Sequence, residues 1–102
     1  MIARVASFEG VDVAEATRTM DEADAILRPM MEDLEGFREY IDLLSSDGKM
    51  ISIAIFETEE DADAAEQTFD EEMPLALGPL FDEWQGHRVS VDHYEVLAEA
   101  HV

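Results

Sequence analysis

The segment Met50 to Phe56 sets the strongest constraint on what this chain can become. Ile51, Ile53 and Ile55 alternate there with Met50, Ser52, Ala54 and Phe56. Successive side chains of a strand point to opposite faces, so a strand of this composition is largely apolar on both. Such a strand needs cover on both sides. The chain has 102 residues, enough for one domain with one core but not for two. It is read as a single unit over 1–102, without repeats, low-complexity tracts or Pro/Gly/Ser-rich linkers.

The rest of the pattern supplies one covering layer. Ile2 to Phe8, closed by Gly10, suits a first strand. Asp12 and Glu15 have capping-box spacing, and Val13, Ala16, Met20, Ala23, Leu27, Met30 and Leu34 recur at intervals of 3 and 4, one apolar stripe on a helix ended by Gly36. Pro29 removes one hydrogen bond of that helix and is expected to kink it between Ala25 and Arg28. Gly36 to Leu44 and Lys49 to Glu57 read as strands joined by Ser45-Ser46-Asp47-Gly48, a hairpin turn. Thr58 and Asp61 open a second helix with the stripe Ala62, Ala65, Phe69 and Met73, expected to reach about Glu72. Pro74, Gly78 and Pro79 break it before a short turn carrying Leu80, Phe81 and Trp84. His87 to Leu97 alternates as a last strand, with a frayed tail to Val102.

The order β-α-β-β-α-β predicts an α+β, ferredoxin-like fold: a four-stranded antiparallel sheet with both helices on one face. With the β-branched set turned toward the helices, the opposite face carries Met50, Ala54, Phe56, Tyr40, Leu44, Tyr94 and Val96. That patch is larger than a soluble monomer tolerates, and a symmetric homodimer packing sheet on sheet removes it.

Charge narrows the partners. Six basic side chains against 26 acidic ones leave −20, which repels phosphate backbones and anionic lipids and argues against nucleic acid and membranes. A hydrophobic share of 47% excludes a disordered acidic tail, and zero cysteines exclude disulfides and thiolate chemistry. No apolar run approaches the roughly 18 residues of a membrane span, and Met1-Ile2-Ala3-Arg4 begins no leader peptide, so a cytoplasmic protein is expected. Glu57 to Glu72 holds nine carboxylates and no cation. It lacks the grammar of a calcium loop and reads as a solvated helix face. Such self-repulsion is relieved by concentrated salt, which points to a halophilic source.

Three joints carry a family resemblance: Leu34-Glu35-Gly36-Phe37 between helix and strand, Ile53-Ala54-Ile55-Phe56-Glu57-Thr58 before the acidic helix, and His93-Tyr94-Glu95-Val96 in the last strand. The chain resembles the dimeric α/β-barrel superfamily, and within it the antibiotic-biosynthesis-monooxygenase-like domains. The resemblance implies a homodimer whose sheets form a barrel, with a pocket in each subunit between helices and sheet. Members oxidise quinols or polyketide aromatics without metal or flavin, cleave haem, or have no assigned reaction. Haem-cleaving members carry an Asn on the first strand and a Trp and a His on the second long helix. Here the first strand ends in Ser7 and the span Glu59 to Glu72 has neither Trp nor His, which argues against haem cleavage.

Strand parity then nominates a site. Val89, Val91 and His93 alternate with Arg88, Ser90, Asp92 and Tyr94, while Phe37, Glu39, Ile41 and Leu43 alternate with Arg38, Tyr40, Asp42 and Leu44. If the β-branched set faces the helices, His93 and Glu39 are polar groups in an apolar layer. Ser7 joins them at the end of the first strand, and Trp84 closes the pocket. One reading is a small aromatic ligand held against Trp84 with His93 taking its proton; the other is a hydrogen-bonded core histidine beside a packing Trp. The opposite face holds Arg4, Tyr40, Asp42, Ser52, Arg88, Asp92 and Tyr94, read as paired charges of a dimer interface or as an anion-binding interior. His87 and His93 stand six residues and about 20 Å apart on a regular strand, and His101 lies in the tail, so the histidines do not converge. No metal site and no cofactor are expected. The function read from all this is a small cofactor-independent monooxygenase of quinol-like or polycyclic aromatic substrates, the alternative being a non-catalytic ligand-binding or stress-associated dimer.

Overall fold

A computed structural model describes residues 1–100, so the placing of His101 in a tail lies outside the described residues. Strand β1 (Ile2–Glu9) leads to helix α1 (Val13–Glu32), the hairpin β2 (Phe37–Leu44) and β3 (Met50–Phe56), helix α2 (Glu59–Gln67), short helices α3 (Met73–Leu77) and α4 (Pro79–Trp84), and β4 (His87–Glu95). The sheet order is β2-β3-β1-β4 with every neighbouring pair antiparallel. This is the ferredoxin-like α+β fold that the element order predicts, with the helices on one face.

Local chemistry accounts for the element ends. Asp12 accepts the Glu15 N–H at 3.0 Å and Thr58 accepts the Asp61 N–H at 3.1 Å, so both long helices start at the expected caps. The helix α1 runs unbroken through Pro29. The second helical region differs from expectation: a π turn over Thr68–Glu72 joins α2 to α3, and the chain turns at Gly78 rather than at Pro74. Pro74 has no N–H to give the preceding turn, and a widened turn accommodates that loss. In the hairpin, Gly48 takes φ 85°, and the Val11 N–H reaches its carbonyl at 3.0 Å. A Cβ there would stand 2.7 Å from the Val11 carbonyl oxygen, so the turn seats on the start of α1 only with glycine.

The core corrects the assignment of faces. Ala54 and Phe56 pack against Ala62 and Ala65 of α2, while Met50 packs with Val11 and Ala16 at the start of α1. Phe56 is wholly buried, with Phe37 and Phe69 edge-on at 6.1 and 6.4 Å. The even-numbered side chains of β1 and β3 therefore face the helices. Ile51, Ile53 and Ile55 face the other way, with Val5 and Ile41 beside Ile53 in register. The expected exposure of Met50, Ala54 and Phe56 is overturned. Small and flexible side chains sit under the helices because these approach closely; the β-branched residues occupy the open, flatter face.

That open face is still apolar. Ile41, Leu43, Ile51 and Val89 are all exposed on the described chain, and Tyr94 is 55% exposed. On α1 the buried residues are Ala16, Thr19, Ala23, Leu27 and Met31, so Thr19 and Met31 take the inward positions expected of Met20 and Met30. No described helix is long and apolar enough to cross a membrane.

Candidate functional site

A cavity of about 430 Å³ lies between the sheet and α1, α3 and α4. Its floor is Ala6, Phe8 and Met50; its roof is Leu27, Met73 and Leu77; Trp84 and Phe81 form an aromatic wall. Apolar lining with a few placed polar groups is what a small-molecule site requires. The polar groups fall into two sets at opposite sides of the sheet.

On the β2–β3 side, Tyr40, Asp42 and Ser52 meet. Asp42 and Ser52 are cross-strand partners, and the Ser52 hydroxyl donates to Asp42 Oδ1 at 2.6 Å. Burial raises the Asp42 carboxyl above the ordinary carboxylate range, and hydrogen bonds from Ser52 and Tyr40 offset only part of that. Burial also drives the Tyr40 phenol upward, with the neighbouring Asp42 charge adding to it, so Tyr40 stays a neutral donor. On the β1–β4 side, Arg4 is 3% exposed. Its Nε donates to Glu66 Oε1 at 2.8 Å and its guanidinium lies 4.1 Å from the Phe69 ring centre. Arg88 pairs with Asp70 at the cavity edge.

A β-bulge delivers Arg88 there. The register of β4 on β1 shifts between Ser7 and Phe8, so Arg88 is opposite Phe8 while Ser90 is opposite Ser7. One extra residue reverses the alternation. Arg88 and His93 consequently share the helix-covered face, although strict parity separates them.

These placements revise the residue roles expected from parity. Arg4, Tyr40, Asp42, Ser52 and Arg88 line the cavity under the helices instead of the open face. Asp92 and Tyr94, opposite Val5 and Ala3, do lie on the open face. Ser7 and Glu39 pair with Ile51 and Ile55 and so face away from the cavity. Trp84 lines the cavity. His93 faces the helices but stands across from Arg4 on β4, outside the cavity lining, ringed by Glu59, Asp63 and Glu66. Burial works against its charged ring, yet hydrogen bonds to Glu66 and Glu59 prevail and hold its pKa above the ordinary value.

Thr19 was not singled out by the sequence. It is buried on α1 and accepts the Trp84 indole N–H at 2.7 Å. A Thr at the 3- and 4-residue spacing between Ala16 and Ala23 is the signal that marks it.

No protein-family model matches the chain, and no curated protein matches it. Solved structures do. A dimeric ferredoxin-like protein from an uncultured marine organism superposes with TM-score 0.67 at 9% identity, covering 100% of both chains. A Nitrosomonas europaea protein described as a putative antibiotic biosynthesis monooxygenase gives TM-score 0.64 at 19% identity, over 96% of this chain and 100% of that one. A Streptomyces coelicolor monooxygenase from the gene ActVA-Orf6, solved in complex with nanaomycin D, gives 0.63 at 17% identity, over 99% and 91%. The chain thus has the fold of the dimeric ferredoxin-like proteins. Among these, it matches the architecture of the antibiotic biosynthesis monooxygenase domain.

Proposed function

We propose that the protein is a small cofactor-independent monooxygenase whose substrate is a quinol-like or polycyclic phenol held in the cavity against Trp84, with Asp42 taking the phenolic proton. One observation carries the reading: a carboxylate of raised pKa, oriented by Ser52 and Tyr40, lines an aromatic-walled cavity of about 430 Å³. A raised pKa narrows the gap to a phenol, which favours proton transfer. The resulting phenolate is electron-rich enough to pass one electron to dioxygen. The substrate radical and superoxide combine at a ring carbon bearing hydrogen. Loss of water from that hydroperoxide leaves a carbonyl, so a phenol and O₂ become a quinone and H₂O. Two structural neighbours, one described as a putative antibiotic biosynthesis monooxygenase and one as a monooxygenase, support this class.

Asp42 is the proton acceptor in place of His93, which is engaged by three carboxylates outside the cavity lining. A second copy of the chain covers the apolar open face, making the working form a homodimer. Oxygen uptake with a panel of hydroquinones and hydroxyanthrones tests the proposal. Wild type consumes one O₂ per quinone formed, and Asp42→Asn loses roughly 10²-fold or more of the rate. Saturable binding of the same compounds without uptake by wild type supports a ligand-binding protein instead.

A further inference from the structure

We propose that Glu59, Asp63 and His93 form a binding site for a divalent transition-metal ion of the zinc or cobalt(II) class, bridging α2 and β4. Glu59 and Asp63 are four residues apart on α2 and so share one helix face. His93 approaches that face from the neighbouring strand. Its Nδ1 stands 3.0 Å from Glu59 Oε1 and 3.6 Å from Asp63 Oδ1, and the three ligand atoms all lie within 4.8 Å of one another. A tetrahedral ion with bonds of about 2.0–2.1 Å spaces its ligand atoms by roughly 3.4 Å. The two spacings from His93, 3.0 and 3.6 Å, bracket that value.

The second ring nitrogen separates this group from an ordinary acidic surface. His93 Nε2 meets Glu66 Oε1 at 2.8 Å, and the same oxygen accepts from buried Arg4 at 2.8 Å. A carboxylate on one imidazole nitrogen fixes the ring and directs the other lone pair outward, the arrangement that supports metal-bound histidines. Here that other nitrogen is Nδ1, within 3.0 Å of Glu59 and 3.6 Å of Asp63. Without an ion, Nδ1 must carry a proton to bond Glu59; an ion takes the proton's place. One imidazole and two carboxylates favour zinc, cobalt or nickel over the oxygen-seeking calcium and magnesium. The remaining coordination positions open to water, since Glu59 and Asp63 are more than half exposed. Sequence spacing shows no such site because His93 lies 30 or more residues from both carboxylates, on another element.

Cobalt(II) titration of the full chain in molar KCl, which suppresses diffuse cation binding to a surface of charge −20, tests the proposal. The expected result is visible absorption saturating at one equivalent, abolished by one equivalent of Zn²⁺ and unaffected by equimolar Ca²⁺, with a higher melting midpoint in the bound state. The double variant E59Q/D63N alters two exposed side chains and keeps the wild-type circular dichroism; it weakens binding roughly tenfold or more. His93→Ala removes the nitrogen donor and its spectral signature. Absence of saturable absorption, equal displacement by Ca²⁺, or a spectrum unchanged in His93→Ala overturns the proposal.

Discussion

The Trp84 indole N–H donates to the Thr19 hydroxyl at 2.7 Å, and that hydroxyl donates in turn to the Glu15 carbonyl at 2.7 Å. The Trp84 carbonyl accepts from Asp12 and Gly86 at 2.8 Å each. Both ends of the residue are thus tied to fixed backbone. The indole plane that walls the cavity is positioned by the first turns of α1, not by the short helix that carries it.

Replacing Thr19 by Val keeps the shape and removes the acceptor, leaving a part-buried N–H unsatisfied. Thr19→Val is expected to lose about 1–3 kcal/mol of stability, read by urea unfolding, whereas Thr19→Ser stays near wild type. Ligand affinity in the cavity falls with Thr19→Val, because the indole is no longer held against one wall.

Asp42 has a folded-state pKa raised above the 3.8 of a free aspartate, chiefly by burial. The fold therefore favours the protonated acid. That favourable contribution is complete below the unfolded pKa and is lost as pH rises through the folded one. Asp42→Asn is expected to be more stable than wild type at neutral pH, with the difference closing as pH falls toward 3.8. Urea midpoints across this range check it. For wild type, oxidation rate should rise with pH through the same group, and this limb disappears in the variant.

Ile53 lies between Val5 and Ile41 in register at the centre of the open face. A buried unpaired carboxylate there is strongly unfavourable in a sheet-on-sheet interface but cheap on a monomer's surface. Light scattering should give twice the chain mass for wild type and the chain mass for Ile53→Glu, with circular dichroism unchanged.

With 26 acidic and six basic side chains, self-repulsion opposes the compact state at low salt. Raising KCl from 0.15 to about 1 M shortens the screening length from roughly 8 to 3 Å. The melting midpoint is expected to rise by several degrees, since about 1 kcal/mol moves it roughly 4–8 °C in a domain of this size. An equal or lower midpoint in molar salt removes the halophilic reading.

Much of the fold was legible because its signals are local. The caps at Asp12 and Thr58, the Asp47-Gly48 turn and the apolar spacing of α1 each depend on a few consecutive residues and the backbone geometry they permit. Trp84 stands out for a similar reason, being the single Trp near two chain-breaking prolines. Strand parity groups Arg4, Tyr40, Asp42 and Ser52 on one face, and they do share one, but it is the helix-covered face and not the open one. A polar set on a strand looks the same whether it meets a partner subunit or lines a cavity.

Period and turn chemistry suffice for the order of elements, the two-sided apolar character of Met50 to Phe56 and the sharing of one face by Arg4 and Ser52. Only the tertiary structure decided which face the helices cover. That depended on how closely Ala62 and Ala65 approach Ala54, a packing relation between distant segments that strand alternation does not encode. It also decided the bulge in β4, where one extra residue brings Arg88 and His93 to the same side, and the meeting of His93 with Glu59 and Asp63. Alternation specifies that two faces exist; close packing and irregularities in register specify what each one touches.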